Sequence, residues 1–185
     1  MKNKHEEGST LVLIVIIIAV ITLLGTTLLS ITMTQYKIRK SNSDLKRAFY
    51  MSENGLIQAY VNLYDLVEDA CEDSINKSDE YLYINPEDNL GAINLFENNY
   101  KQYLVKNAAN QVNNTSNPTI NVLNSSALIF LNDKLIIEIK SRYLSQEGIE
   151  KITLANIIVI VPDYFKTKSG ETEIGELLYF NNFGL

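Results

Sequence analysis

Polar and apolar positions along this chain change register twice. The first eight residues, Met1 to Gly8, are polar, and from Ser9 to Tyr36 there is no Asp, Glu, Lys, Arg or His. Within that stretch Leu11 to Leu29 is nineteen residues long, and fourteen of them are Leu, Ile or Val. As an α-helix rising about 1.5 Å per residue, it covers roughly 28 Å, close to the hydrocarbon thickness of a bilayer. The apolar side chains surround the helix instead of forming one stripe, so a buried core helix is the poorer account. A central Leu, Ile or Val favours insertion by about 0.3 to 0.6 kcal/mol, which outweighs the interspersed Thr residues. The pattern predicts a single membrane span within residues 9–36, with Leu11, Leu13, Ile14, Ile18 and Leu24 on its surface. A cleaved secretory signal is a weaker fit, because its apolar region is about 7 to 15 residues long and ends in a small-residue site.

Beyond the span the pattern becomes periodic. Ile38, Leu45, Phe49, Leu56, Tyr60, Leu63 and Val67 recur at steps of 7, 4, 7, 4, 3 and 4, and no proline precedes Pro86. These steps keep one face apolar on a helix and predict a single helix from about Thr10 to Asp69, with Gly25 and Gly55 as tolerated weak points. A coiled-coil partner would suit the same spacing. The aromatic Tyr60 and Tyr64, with few complementary charge pairs, favour packing on the chain's own sheet.

Cys71 to Asn89 is polar and is expected to be a surface connection, with a short strand at Tyr81–Ile84. A second helix is expected from Gly91 to Val112, with Ile93, Phe96, Tyr100, Leu104, Ala108 and Val112 inward, broken by Asn113 to Pro118. Strands follow at Thr119–Leu123, Ala127–Leu131, Leu135–Tyr143 and Ile152–Val161, joined as antiparallel hairpins, and an edge strand returns at Leu177–Phe180. Leu135, Ile137 and Ile139 form the inward face of the third strand. The sequons around Asn113 and Asn124 read as ordinary polar loop chemistry. The expected fold class is α+β, a long N-terminal helix packed on an antiparallel sheet. Its parts are a leader at 1–8, a transmembrane helix at 9–36, the helix continuation at 37–70 and a head at 71–185.

Charge sharpens this division. The net charge is -6, but Lys37 to Arg47 holds five basic residues against Asp44, and from Ala48 onward nine basic residues face nineteen acidic ones. The basic cluster suits phospholipid headgroups, whereas the acidic head argues against nucleic acid as a partner. The positive-inside rule, applied alone, would leave the head in the cytoplasm.

Candidate chemistry is sparse. The only His, His5, lies in the leader, and the only Cys, Cys71, has no partner for an internal disulfide. There is no nucleophile elbow, no phosphate-cradling Gly loop and no Cys pair. The carboxylates around Cys71 to Asn89 lack the spacing and turn Gly of an EF-hand, so a solvated acidic loop is the better reading. The chain is expected to be no enzyme and to use no cofactor or metal.

Two stretches carry a family resemblance. The short polar leader ending in Gly8, abutting the apolar run, resembles a type III prepilin leader. Ala48-Phe49-Tyr50-Met51-Ser52-Glu53-Asn54-Gly55-Leu56 is similar to the AFxxAExGL-like stretch that follows the membrane helix in minor pilins of the PilX type. The residues that carry this second likeness are Ala48, Phe49, Tyr50, Glu53, Gly55 and Leu56. The chain thus resembles type IV pilins and pseudopilins. That resemblance implies cleavage by prepilin peptidase between Gly8 and Ser9, on the cytoplasmic side, and so an extracytoplasmic head that later joins a cell-surface filament. The implied partners are the lipid bilayer, other pilin or pseudopilin subunits, the peptidase and an assembly platform. Ser9 stands where Phe or Met is commoner, and Leu13 where major pilins carry Glu. These departures imply a minor subunit, and Leu13 favours a low-copy place at a filament tip or in an initiating complex. The competing expectation is a single-pass anchored binding or sensory protein that is never assembled.

Overall fold

The computed structural model describes the backbone of residues 4–184 and the side chains of residues 10–182. The chain divides into two compact units, Met1–Leu45 and Lys46–Leu185. Helix α1 (Lys4–Ile84) contributes its residues up to Leu45 to the first unit and the remainder to the second. The first unit has no second element to cover that helix, so Ile38 and Leu45 of the expected apolar stripe remain exposed. Farther along, Leu56, Leu63 and Val67 of the stripe are buried, with Ala59 beside them, and Phe49 and Tyr60 are half-buried.

The helix does not end near Asp69 as its apolar period suggests, and Tyr81–Ile84 is its last turn instead of a strand. From Ala70 the buried positions are Ala70, Cys71, Ser74 and Ser78, small residues at helical spacing that a hydrophobicity count reads as a polar connection. What stops α1 is Pro86, which disfavours helical backbone at Asn85. Helix α2 (Asn89–Val112) starts directly afterwards, where the Asp88 carboxylate accepts from the Gly91 N–H at 2.9 Å and from the Tyr81 hydroxyl at 2.6 Å. Its buried residues recur every four positions, as Ala92, Phe96, Tyr100, Leu104, Ala108 and Val112. Ile93, expected to face inward, is half-buried beside that stripe.

Strands β1 (Thr119–Val122), β3 (Lys134–Leu144), β4 (Glu150–Ile160) and β5 (Leu178–Gly184) lie in that spatial order with every pairing antiparallel, and β2 (Phe130–Leu131) pairs with β3. The long β3–β4 hairpin aligns Lys134 with Ile160 and Leu144 with Glu150. The tight β2–β3 turn puts Asn132 and Asp133 at φ 49° and 59°, the left-handed backbone that such two-residue hairpins require. The strand expected at Ala127–Leu131 shrinks to two residues, and β1 and β2 form no hairpin with each other. Both lie along the same edge of β3, and the gap between them is filled by a side chain. Asn124 donates to the Ile136 carbonyl at 2.8 Å and accepts from the Glu138 N–H at 3.1 Å, supplying the two bonds a strand residue would make. Asn117 repeats the device at the far end of the edge, with Leu144 as partner at 2.7 and 3.1 Å.

Leu135, Ile137 and Ile139 point inward as expected and are fully buried in one core with Leu56, Leu63 and Val67 of α1 and Tyr100 and Leu104 of α2. A smaller cluster joins Ala92 and Phe96 to Tyr164 of α3 (Tyr164–Lys168). There the Tyr164 hydroxyl and Lys168 Nζ both donate to the Asp79 carboxylate, at 2.8 and 2.6 Å. A one-turn helix, α4 (Ile174–Leu177), leads into β5.

Gly55 is a requirement of this packing, not a weak point. A Cβ there would run into Ser141 Oγ of β3 and stand 3.0 Å from Pro118 Cγ. Gly55→Ala is therefore expected to destabilise the second unit, because overpacking by about 1 to 3 kcal/mol exceeds the helix-propensity gain of about 1 kcal/mol. Adding Ser141→Ala, which removes a buried hydroxyl without a hydrogen-bond partner, should restore most of that loss, as read from thermal melts of the four members of the double-mutant cycle. Ile137→Asp should abolish the cooperative transition altogether, since it places an unpaired charge at a fully buried position.

Candidate functional site

The features with functional bearing are the charge-free portion of α1 and the stretch that follows it. Gly8 and Ser9, the expected processing positions, lie within α1, and only their backbone is described. Leu11, Leu13, Ile14, Ile18 and Leu24 are all exposed, at 49% to 67%. No side of the segment is buried, and it is long and apolar enough to cross a membrane. Its polar interruptions are satisfied internally. Thr22 donates to the Ile18 carbonyl at 2.7 Å, Thr26 and Thr27 to Leu23 at 3.0 and 2.7 Å, and Thr32 to Leu28 at 2.8 Å. With their donors taken up along the helix, these hydroxyls ask little of a surrounding apolar solvent.

The stretch from Ala48 to Leu56 divides by helical face. Ala48, Gly55 and Leu56 are buried, together with Ser52, whose hydroxyl lies 2.6 Å from Thr153 Oγ1 of β4 and donates to the Phe49 carbonyl. Small side chains at Ala48, Ser52 and Gly55 let α1 come close to the sheet. Ser52 had no separate signal in the sequence, because a lone Ser on a helix reads as solvent-facing. Phe49 is half-buried under the Lys151 ammonium, 5.5 Å from its ring centroid, and packs edge-on against the exposed Tyr50 at 5.8 Å. Glu53 is half-buried at the margin of this face. The recognisable residues of the stretch thus have packing roles within the second unit.

Among the described residues no three His, Cys, Asp or Glu side chains converge as metal ligands. Burial pushes the Asp79 carboxyl up, but the hydrogen bonds from Lys168 and Tyr164 and the Lys168 charge together hold it below its ordinary value. Cys71 is buried beneath α2, and burial, reinforced by Glu68, pushes its thiol up to about 12.

Compared with known protein families, curated proteins and solved structures, the chain matches none.

The Cys71 environment makes two expectations measurable. The native thiol should resist alkylation at pH 8 and react fully once the protein is denatured. An unfolded thiol ionises near 8.5, whereas the native one holds its proton to about 12, so the folded state binds more protons across that interval. Stability should accordingly decline as pH rises from about 8.5 towards 10, and Cys71→Ala should flatten that slope in denaturant titrations.

Proposed function

We propose that this chain is a structural subunit of the minor pilin or pseudopilin kind, processed after Gly8 and contributing to the assembly or the tip of a type IV pilus or related secretion or DNA-uptake filament. The observation that carries the reading is a charge-free apolar helix, exposed on every side, that follows directly on a short polar leader ending in Gly. Such a surface is at ease in lipid, and it can exchange lipid for the same surface on neighbouring helices through side-chain packing. No step needs a catalytic group, cofactor or metal. In this reading the leader holds the N-terminus inside and the head is extracytoplasmic, against the bias of the basic residues that follow the span. Leu13 supports a low-copy position, because a helix with no carboxylate near its N-terminus has no charge to neutralise against a neighbour. A central acidic residue would cost about 2.5 to 3.5 kcal/mol on insertion scales.

The second reading is a single-pass anchored binding or sensory protein. It is favoured by the five basic residues of Lys37 to Arg47, which suit permanent residence at a headgroup surface.

Processing separates the two. Co-expressed with an active prepilin peptidase, the membrane-extracted chain should have an intact mass lacking Met1 to Gly8, and Gly8→Leu should retain the full mass. A chain that keeps its leader under those conditions would leave the anchored reading in place. Quantitative mass spectrometry of sheared filaments then tests position: trace abundance with label at the ends fits a tip, and label along the shaft at major-subunit abundance rules it out.

A further inference from the structure

An apolar groove lies open on the second unit. Between α2 and the segment entering β2, Val105, Leu128, Ile129 and Phe130 line a depression of about 470 Å3, with Lys101 and Lys106 at its border. Val105 and Ile129 stay 38% and 61% exposed. Lys101 is committed to Asp133 at 2.7 Å and Glu97 at 3.7 Å, whereas Lys106 has no ion-pair partner among the described residues. The groove is thus apolar and bordered by a cation, on a unit with 19 acidic and 11 basic residues.

Elsewhere on the same unit α1 displays the complementary surface. Its outward face carries Ile57 and Val61, 55% and 50% exposed, and then the exposed Asp65, Glu68 and Glu72 at helical spacing. None of those three carboxylates has an ion-pair partner among the described residues. The opposite face of the same turns is buried through Leu56, Ala59, Leu63 and Val67. That stripe is therefore held outward and cannot reach the groove of its own chain.

We infer that the groove of one copy receives the Ile57–Glu72 stripe of α1 from a second copy, with Ile57 and Val61 against Val105 and Ile129 and the Asp65 or Glu68 carboxylate beside Lys106. Charge selects this occupant. Groove against groove would oppose Lys106 to itself, and stripe against stripe would oppose six carboxylates. The mixed pairing buries apolar surface on both sides and matches an anionic helix to an unpaired cation, a helix-in-groove contact. Because the donor and acceptor surfaces differ, the contact is head-to-tail, and each copy can offer one stripe and receive another. It requires two neighbouring copies, in an initiating assembly as much as along a filament, and it is independent of cleavage after Gly8.

The test is disulfide trapping of the full-length chain in vesicles with lipid in large excess. Cys71→Ala serves as the background, and the Val61→Cys and Ile129→Cys chains are oxidised separately and as a mixture. Ser126→Cys, exposed and outside the groove, sets the collisional level when mixed with Val61→Cys. The mixed pair should give at least tenfold more dimer than either chain alone or the Ser126→Cys control. Lys106→Glu should remove that excess, and Glu68→Lys or Asp65→Lys in the partner chain should restore it. Dimer at the control level in the mixture overturns the inference. So does equal dimer from Ile129→Cys alone, which would mean groove against groove, or a yield indifferent to the charge at Lys106.

Discussion

The second unit depends on how closely α1 approaches β3. At Gly55 the helix backbone comes so near Ser141 and Pro118 that no side chain fits between them. One turn to either side the contact is kept thin by Ser52 and Ala59, both fully buried. That closeness lets short β-branched residues on the sheet, Ile137 and Ile139, reach Leu56 and Leu63 without leaving a void, as close-packed interiors require. A helix lifted by one methyl group would open the core along β3 and pull Ser52 away from Thr153. The small residues of Ala48 to Leu56 thus position the whole sheet, including the edge on which the groove opens.

Helix and sheet solve different problems at their margins. Every buried turn of α1 meets a partner side chain, but the β3 edge beside β1 and β2 would be left with unpaired N–H and C=O groups where those short strands stop. Asn124 and Asn117 supply amides in place of missing backbone, and Asn113 Oδ1 accepts from the Val122 N–H at 2.8 Å on the outer side of β1. The Asn-rich segment between α2 and β3 therefore closes a sheet edge that would otherwise be available for pairing with other chains.

The two units illustrate two ways to use an apolar helix surface. Up to Leu29 the surface is apolar all round, with hydroxyls turned back onto the helix, and it is compatible with lipid or with like helices. From Ala48 it is apolar on one face and acidic on the other, and the inner face is consumed by the sheet.

The existence of α1 and α2, the antiparallel strands, the inward residues of β3 and the all-round apolar segment were legible from sequence, because each depends on a local period of apolar residues. What escaped was decided by contacts between residues distant along the chain. The continuation of α1 to Ile84 carries Ala70, Cys71, Ser74 and Ser78 into buried positions, and small residues of this kind show no apolar period in the sequence. The strict need for Gly at position 55 exists only because Ser141 arrives from β3. Asn124 became part of the sheet only because β1 and β2 share one edge of β3, whereas a hairpin between them would have left it in a turn. The candidate segment in the first unit was readable residue by residue, since lipid compatibility is a property of composition and length. The groove beside Lys106 was not, since it is made by α2 and β2 meeting across a loop, and only the tertiary structure brings its apolar wall and its cation together.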